Sequence, residues 1–531
     1  MRRIVFLAAA WMLGILASSA QQVDNLQRAI SLLDETMSKC FTGSTLKMYD
    51  TYDTSTHQGS GVADVWPYTA ALEAHCSVLE ALDLLKDFEP QLYADNHDRL
   101  VGRLRSLYDN LAYYRGSFTL VSYAQEKKWR VFGVHRSNTK GGAAVTGIEN
   151  VYDDQMWICR ELVRAYRLTG DDDYLAEAYN LAEYCIDGWD CCLDANGNEY
   201  GGITWGPGYN SKHSCSNGPL IQPLVWLSEI YAAKGDDQVA NYKYVYIESD
   251  NSRTYELRLP SEVFAEFAAK TYQWQKKNLL NSSTGVYYDM LGADNTIQYV
   301  KIGHRSYRDH VATGNPGGIA FTYNTGTMIA GAAELFRTTA TNTYLSDLAR
   351  LCSSSMSQFT RNATVDGVTY KRFPTDATAT EGFNCWFNNV LIRACVDAYA
   401  MGNTSCQRSA KSLLDAMQTN LDYAWEHYRT DGFLPIDLLG GWNGTSVTKG
   451  FHQLAFAAEY AMLAVWHERM NPTSVKPVVS DPDSPFDKGA SRVEMFDLSG
   501  RHLSRAEGSG IVIERRTRAD GSAETSRVWH K

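Results

Sequence analysis

The chain has 531 residues, of which 44% are hydrophobic and 21% charged, which supplies a large apolar core and excludes wholesale disorder. Its formal charge of −11 excludes the basic face that polyanions require, so no nucleic-acid partner is expected. Its 32 Tyr and 13 Trp are many for this length, and flat rings serve equally as stacking surfaces for sugars and as filling for a helical core.

At the N-terminus, Arg2 and Arg3 precede an apolar run over residues 4–16 and the small residues Ala17-Ser18-Ser19-Ala20. This is the pattern of a secretory signal peptide, residues 1–20, cleaved before Gln21. The run is too short for a comfortable membrane span, and no later segment supplies one. The first cysteine is Cys40, so a lipid-anchored N-terminus is not expected. The mature protein is therefore expected outside the cytoplasm: periplasmic, at the cell surface or secreted.

From Val23 to Met470 the apolar residues recur with a helical period. About twelve amphipathic segments begin near Val23, Trp66, Gln91, Tyr152, Asp172, Asn217, Ser261, Tyr323, Asn342, Asn384, Ser405 and Lys449. An internal echo at an offset of 170 positions relates Tyr166-Arg167 to Phe336-Arg337, Tyr174-Leu175 to Tyr344-Leu345, and Leu181 to Leu351. Each block reads helix, tight polar turn, helix, and Tyr231, Gly235 and Asp236-Asp237 repeat the turn of Tyr166, Gly170 and Asp171-Asp172. Six such hairpins suggest an all-α fold, an (α/α)6 barrel over residues 21–470; a helical solenoid fits the periodicity equally.

The connections are of two kinds. Those after even-numbered helices are short and polar, such as Thr169-Gly170-Asp171 and Gly402-Asn403-Thr404. Those before even-numbered helices are longer and rich in glycine and rings: Gly201-Gly202-Ile203-Thr204-Trp205, Thr322-Tyr323-Asn324, Glu381-Gly382-Phe383-Asn384-Cys385-Trp386 and Gly440-Gly441-Trp442. In an up-down array alternate loops gather at one end, so a cleft is expected at the decorated end. Two segments leave the helical pattern. Residues 244–248 and 254–259 alternate around Asp250-Asn251-Ser252, an inserted β-hairpin. Residues 471–488, with Pro472, Pro477 and Pro482, read as a linker, and residues 489–531 as a small C-terminal β unit.

The 11 cysteines are odd in number; Cys191-Cys192, near Cys185 and Cys215, could hold one or two local bridges, while Cys159, Cys352 and Cys395 fit a core. No Cys/His cluster has zinc spacing, and neither a metal nor a cofactor is expected.

The chemistry concentrates in Glu149-Asn150-Val151-Tyr152-Asp153-Asp154-Gln155-Met156-Trp157, which opens a helix. Aspartates at a helix start are ordinarily caps and dipole partners, and Asp171-Asp172-Asp173 is read so. Asp153-Asp154 differs by lying at the decorated end between Tyr152 and Trp157. Glycoside cleavage with retention needs two carboxyl groups about 5–5.5 Å apart, one to attack the anomeric carbon and one to protonate the leaving oxygen. Adjacent residues at a helix start diverge around the axis, and their mutual repulsion separates their pKa values into nucleophile and acid.

At these residues the chain resembles glycoside hydrolase family 76, the secreted α-1,6-mannanases with an (α/α)6 fold. The resemblance rests on Tyr152-Asp153-Asp154-Gln155-Met156-Trp157, Tyr174-Leu175, Gly201-Gly202-Ile203-Thr204-Trp205, Lys212, Ser216-Asn217-Gly218-Pro219 and Thr322-Tyr323-Asn324-Thr325-Gly326. It implies a retaining, endo-acting α-1,6-mannanase with Asp153 as nucleophile, Asp154 as acid/base and an α-mannan substrate. Candidate substrate contacts are Tyr152, Trp205, Asn217, Tyr323, Asn324, Phe383 and Trp386, with Trp442 a further platform. Asn324 occupies the position of Asp154 in the 170-residue echo, and His135 is read as a loop histidine without a role. The loop over residues 206–215, the inserted hairpin and residues 117–147 depart from the family pattern. The segment Val493-Glu494-Met495-Phe496-Asp497-Leu498-Ser499-Gly500-Arg501 looks like the C-terminal sorting domains of exported Bacteroidota proteins, which engage an outer-membrane secretion machinery; a plain accessory β domain reads equally well. Two other classes compete: another (α/α) barrel carbohydrate enzyme, such as an unsaturated glycuronidase or an epimerase, and a non-catalytic glycan-binding relative.

Overall fold

The computed structural model of the protein describes residues 2–235, 241–375 and 383–470, and four strands beyond them. Twelve helices follow one another among the described residues: α1 (Arg2–Lys39), α2 (Val65–Leu85), α3 (Pro90–Leu111), α4 (Tyr152–Thr169), α5 (Asp172–Asp187), α6 (Gly218–Lys234), α7 (Pro260–Leu279), α8 (Thr322–Thr339), α9 (Asn342–Phe359), α10 (Asn384–Ala400), α11 (Thr404–His427) and α12 (Gly450–Met470). All but α1 begin within one residue of the sequence expectation. Helix α1 starts earlier because no proline interrupts residues 2–39.

The even-numbered helices each pack on the next, and α12 packs back on α2. Each odd-numbered helix lies outside, α3 on α2 through α11 on α10, while α1 packs on α12 and joins the first and last helices of the barrel. This closure makes the fold an (α/α)6 barrel; in an open solenoid α12 and α2 would be far apart. Burial explains which helices are inside. Outer helix α3 buries a single stripe, Leu100, Leu104, Leu107 and Leu111. Inner helix α12 is buried on every side from Gly450 to Trp466. Among the described residues no helix is long and apolar enough to cross a membrane.

The internal echo is structural. Helix α8 begins and ends 170 positions after α4, and both terminate on a left-handed residue, Gly170 (φ 73°) and Ala340 (φ 53°), whose N–H returns to Tyr166 O and Phe336 O respectively. Asp171 caps α5, its carboxylate accepting from Asp173 N at 3.0 Å, the ordinary role expected of that acidic run.

The inserted hairpin pairs Tyr242–Ile247 with Arg253–Arg258. Further strand pairs stand where the periodicity is silent: Arg115–Val121 with Glu126–Phe132, Arg361–Val365 with Val368–Arg372, and Met290–Ala293 between Thr313–Gly317 and Lys212–His213. In the C-terminal stretch Ala490–Phe496, His502–Leu503, Gly510–Arg518 and Ala523–His530 form one antiparallel sheet. The linker expected at 471–488, and Asp236, Asp237, Glu381 and Gly382, lie outside the described residues. The local disulfides considered for Cys185, Cys191, Cys192 and Cys215 are not formed: all 11 cysteines are free. Cys185 instead donates to Tyr152 O at 3.8 Å, and Cys215 lies elsewhere, in the cleft described below.

Three inner helices use one device to hold the long loops. Near the start of α4, Gln155 accepts from Phe132 N at 2.9 Å and donates to Phe132 O at 2.7 Å. Asn217, preceding α6, does the same to Ile203 at 2.9 and 3.0 Å, and Gln453 of α12 to Leu434 at 3.0 and 2.7 Å. A primary amide has one acceptor and two donors, so it replaces a strand neighbour for one buried residue. Gln155→Ala leaves the buried N–H and C=O of Phe132 without partners, at about 1–3 kcal/mol each. A thermal or urea melt of that variant should show a loss of about 2–5 kcal/mol, whereas a loss under about 1 kcal/mol would show that the loop is held otherwise.

Candidate active site

The N-termini of the inner helices and the long loops before them enclose a cleft of about 490 Å³. Asp153 and Asp154 lie on its floor, in the first turn of α4. No side chain caps that helix, and Tyr152 N is taken by Trp205 O at 2.7 Å, which fixes the Gly201-to-Trp205 loop over the helix start. The loop is held from beneath by a buried ion pair, Lys212 Nζ to Asp190 Oδ2 at 2.7 Å, and by Lys212 donating to Gly201 O at 2.6 Å. Its second glycine is required: Gly202 has φ 78°, and a Cβ there would lie 2.3 Å from the Trp274 ring.

The two aspartates have different surroundings. Asp153 Oδ2 accepts from the Trp205 indole N–H at 3.0 Å, and Oδ1 from Asp154 N at 2.9 Å. Burial raises the Asp153 pKa, while Trp205, the Cys215 thiol and the backbone amide hold the rise back. Asp154 is 7% exposed. Burial first, then the charges of Asp153 and Asp64, push its carboxyl well above the ordinary range, with no donor opposing them. Asp153 is thus the more readily ionised of the two, and the surroundings of Asp154 favour its protonated form.

Facing them is a third carboxylate that periodicity did not reveal. Asp289 accepts from the Tyr323 hydroxyl at 3.2 Å, and burial lifts its pKa to about 6, moderated by Tyr323 and Asn324. Beside it His213 holds Ser211 Oγ at 2.8 Å and tilts against Trp205; burial lowers its pKa to about 4, so it is a neutral imidazole. At the rim, Asp64 pairs with His135 Nδ1 at 2.7 Å, which raises the histidine's pKa. His135 thereby acquires a structural role, bridging Asp64 and, at 3.7 Å, Glu149.

One wall is aromatic. Trp66 packs edge-on to Phe383 at 4.8 Å and Trp386 at 5.1 Å, and Trp386 meets Trp157 at 90° and 4.7 Å. Phe321 stacks with Tyr323 at 13°, and both contact Phe387. The opposite side carries Trp205 and Tyr209, 4.7 Å apart. Such a cleft offers apolar faces and carboxylate acceptors to a neutral polyol.

Of the residues singled out from the sequence, Asp153, Asp154, Trp205, Tyr323, Phe383 and Trp386 line the cleft. Four others do not. Tyr152 is buried behind it against Tyr184 at 4.9 Å. Asn217 is fully buried and spends its amide on Ile203 and on His213 O at 2.7 Å. Asn324 is buried beneath Asp289, which it helps to hold. Trp442 donates to Tyr428 O at 2.7 Å and braces its own turn. The cleft also recruits Asp64, Trp66, His213, Cys215 and Asp289. Asp289 carried one readable signal, an acid after the ring pair Tyr287-Tyr288 in a connection leading to an even-numbered helix.

The family model for glycosyl hydrolase family 76 matches residues 137–248 and 255–480, its gap falling at the inserted hairpin. No curated protein matches the chain. Solved structures share its fold. A family 76 glycoside hydrolase (mannosidase) from Bacteroides thetaiotaomicron superposes with a TM-score of 0.59 at 20% identity, covering 84% of this chain and 100% of its own. The α-1,6-mannanase of Salegentibacter sp. HEL1_6 gives 0.53 at 19% identity, over 83% and 99%. An inactive variant of the latter, with two successive aspartates replaced by asparagine, was solved with α-1,6-mannotriose and gives 0.54 at 18% identity, over 83% and 99%. The family match runs through the aspartate helix, the loops around it and the rest of the barrel to its last helix, and the chain belongs to glycosyl hydrolase family 76.

Proposed function

We propose that the protein is an exported, retaining endo-α-1,6-mannanase in which Asp153 is the nucleophile and Asp154 the acid/base. The observation that carries the reading is the unequal solvation of two adjacent carboxyls, one holding an indole N–H, a thiol and a backbone amide, the other holding no donor. Asp153 attacks the anomeric carbon while Asp154 gives its proton to the departing oxygen, leaving a mannosyl ester on Asp153. Asp154, now a carboxylate, takes a proton from the water that hydrolyses the ester. Family membership and the mannanases of like fold support an α-mannan substrate. Rings on both sides of the cleft support an interior stretch of chain as ligand, hence endo action. Export rests on the signal-like residues 1–20, and the C-terminal sheet is read as a sorting or attachment unit.

Linear α-1,6-mannan should yield short oligomers before mannose, measured by chromatography over time. Mannose as the sole early product would refute endo action, and no product would refute the activity.

The division of labour is separately testable. Asp153→Asn should be inactive on every substrate. Asp154→Asn should still form the ester from an aryl mannoside whose leaving group needs no proton, with turnover down about 10²–10⁴-fold. Azide should restore that turnover and give α-mannosyl azide. Rescue of Asp153→Asn alone would exchange the roles.

Asp154 also makes a signed prediction about stability. Its pKa is higher folded than unfolded, so the unfolded chain loses this proton first and stability falls as pH rises above about 3.9 towards the folded value. Asp154→Asn should therefore be about 1–3 kcal/mol more stable than the parent at pH 7 and nearly equal to it near pH 4. Melting both proteins at the two pH values checks this, and a variant less stable at pH 7 would show that the carboxyl is not strained.

A further inference from the structure

At the other end of the barrel, where the inner helices terminate, lies a second cavity of about 280 Å³, far above the roughly 10–15 Å³ that one water needs. Five guanidiniums line it: Arg160, Arg164 and Arg167 of α4, Arg393 of α10 and Arg469 of α12. On α4 they recur at spacings of four and three, which places them on one face. At 1.5 Å per residue, Arg164 is about 15 Å and Arg167 about 20 Å along the helix from Asp154, so the cavity is separate from the cleft.

Cations at helix C-termini ordinarily answer the helix dipole, and Arg167 and Arg469, in the last turns of α4 and α12, do so. That effect fades within one turn and does not explain the deeper, buried Arg160, Arg164 and Arg393. Their carboxylate partners are shared. Glu161 serves both Arg160 and Arg164, the latter at 2.9 Å. Glu80 serves Arg164 at 2.9 Å and Arg469 at 3.8 Å. Glu73 serves Arg393. Glu334, at the rim, is taken by Arg337 at 2.7 Å. Among the described residues no ion pair is formed by Arg167, whose guanidinium rests over the Trp226 ring at 5.1 Å. Asp397 lines the cavity but is held by Gln222 at 3.0 Å, and burial lifts its pKa to about 6. Arg393 registers the crowding: burial and then Arg160 bring its pKa down to about 10.

We propose that this cavity binds a small oxyanion, a phosphate or a carboxylate, between Arg160, Arg164, Arg167 and Arg469. Guanidinium forks match either group by paired N–H donors; Arg160 and Arg164 are buried while Arg167 and Arg469 are exposed, so an entering anion meets fixed donors on the buried side and two open guanidiniums on the solvent side. Arg393 also lies over the rings of Trp157 and Trp386, at 5.6 and 5.7 Å, and so links this cavity to the floor of the cleft.

Isothermal titration of the full chain with inorganic phosphate and, separately, acetate tests the site and distinguishes its two ligand groups. We expect saturable binding of at least one, with a dissociation constant below about 1 mM. Arg167→Gln/Arg469→Gln, which removes the two guanidiniums least committed to internal pairs, should weaken it at least about tenfold. A melt without ligand checks that this variant is folded, and phosphate or acetate should raise the melting temperature of the parent and not of the variant. Asp153→Asn/Asp154→Asn should bind as the parent does. No saturable binding of either anion, equal binding by the arginine variant, or loss of binding in the aspartate variant would each overturn the proposal.

Discussion

The cleft depends on the pinning of long, irregular loops to the starts of the inner helices by buried primary amides. The long connections pair as strands only over short runs, and the backbone groups they bury elsewhere cannot be left without partners. Gln155, Asn217 and Gln453 resolve this at single residues, Phe132, Ile203 and Leu434. Each amide is itself nearly or fully buried, so the loops are held where water does not compete. The Ile203 clasp has the most direct consequence. It fixes the strand-like run into Trp205, whose indole then meets Asp153 and whose carbonyl takes Tyr152 N. The Asp153 carboxyl and the loop over it are thus positioned by one another.

With the loops fixed, the chemistry follows from solvation. Two aspartates adjacent in sequence begin with nearly equal acidity, and only their surroundings separate them. Asp153 receives donors because its side chain turns towards the Trp205 loop; Asp154 turns towards the Trp66 side, where Asp64 is a further anion. Holding a carboxyl in such a place costs folding free energy that the barrel supplies through its continuous apolar core. His213, neutral and between Asp289 and Trp205, adds no positive charge to offset the anions.

Much of this was legible in the sequence, and what was not has a common cause. Helix starts were readable because apolar period, caps and prolines are local signals, and the 170-residue echo reproduced the bounds of α4 in α8. The decorated end was readable because loop composition alternates in an up-down array. The ring closure was not, since nothing in a period tells whether α12 meets α2. Assignments failed where a residue's role is set by its partner. Asn217 and Asn324 have the right chemistry for sugar hydroxyls, yet the first is consumed by Ile203 and His213 O, and the second lies below Asp289. Tyr152 belongs to the motif but points into the Tyr184 side of the helix. Asp289 escaped because it lies in a connection of short strands without helical periodicity, just before Met290–Ala293.

The parallel sense of the inner ring gives the barrel two electrically distinct ends. All six even-numbered helices begin at the cleft, so their unsatisfied N–H groups and positive dipole ends converge there. That field lowers the cost of assembling Asp64, Asp153, Asp154 and Asp289 around one cavity, where Coulomb repulsion alone would drive most of them to protonate. It is also a burden, because glycoside cleavage passes through an oxocarbenium-like state that positive dipoles disfavour. The ionised carboxylates must therefore outweigh the helix ends, and they are helped by the absence of any lysine or arginine among the lining residues of the cleft, where Asp153 is more readily ionised than Asp154. At the opposite end the sign reverses, and there Arg167, Arg337 and Arg469 stand in last turns. The same alternation of up and down helices that closes the core thus keeps arginine and lysine out of the lining of one mouth and gathers arginines, with their carboxylate partners, at the other.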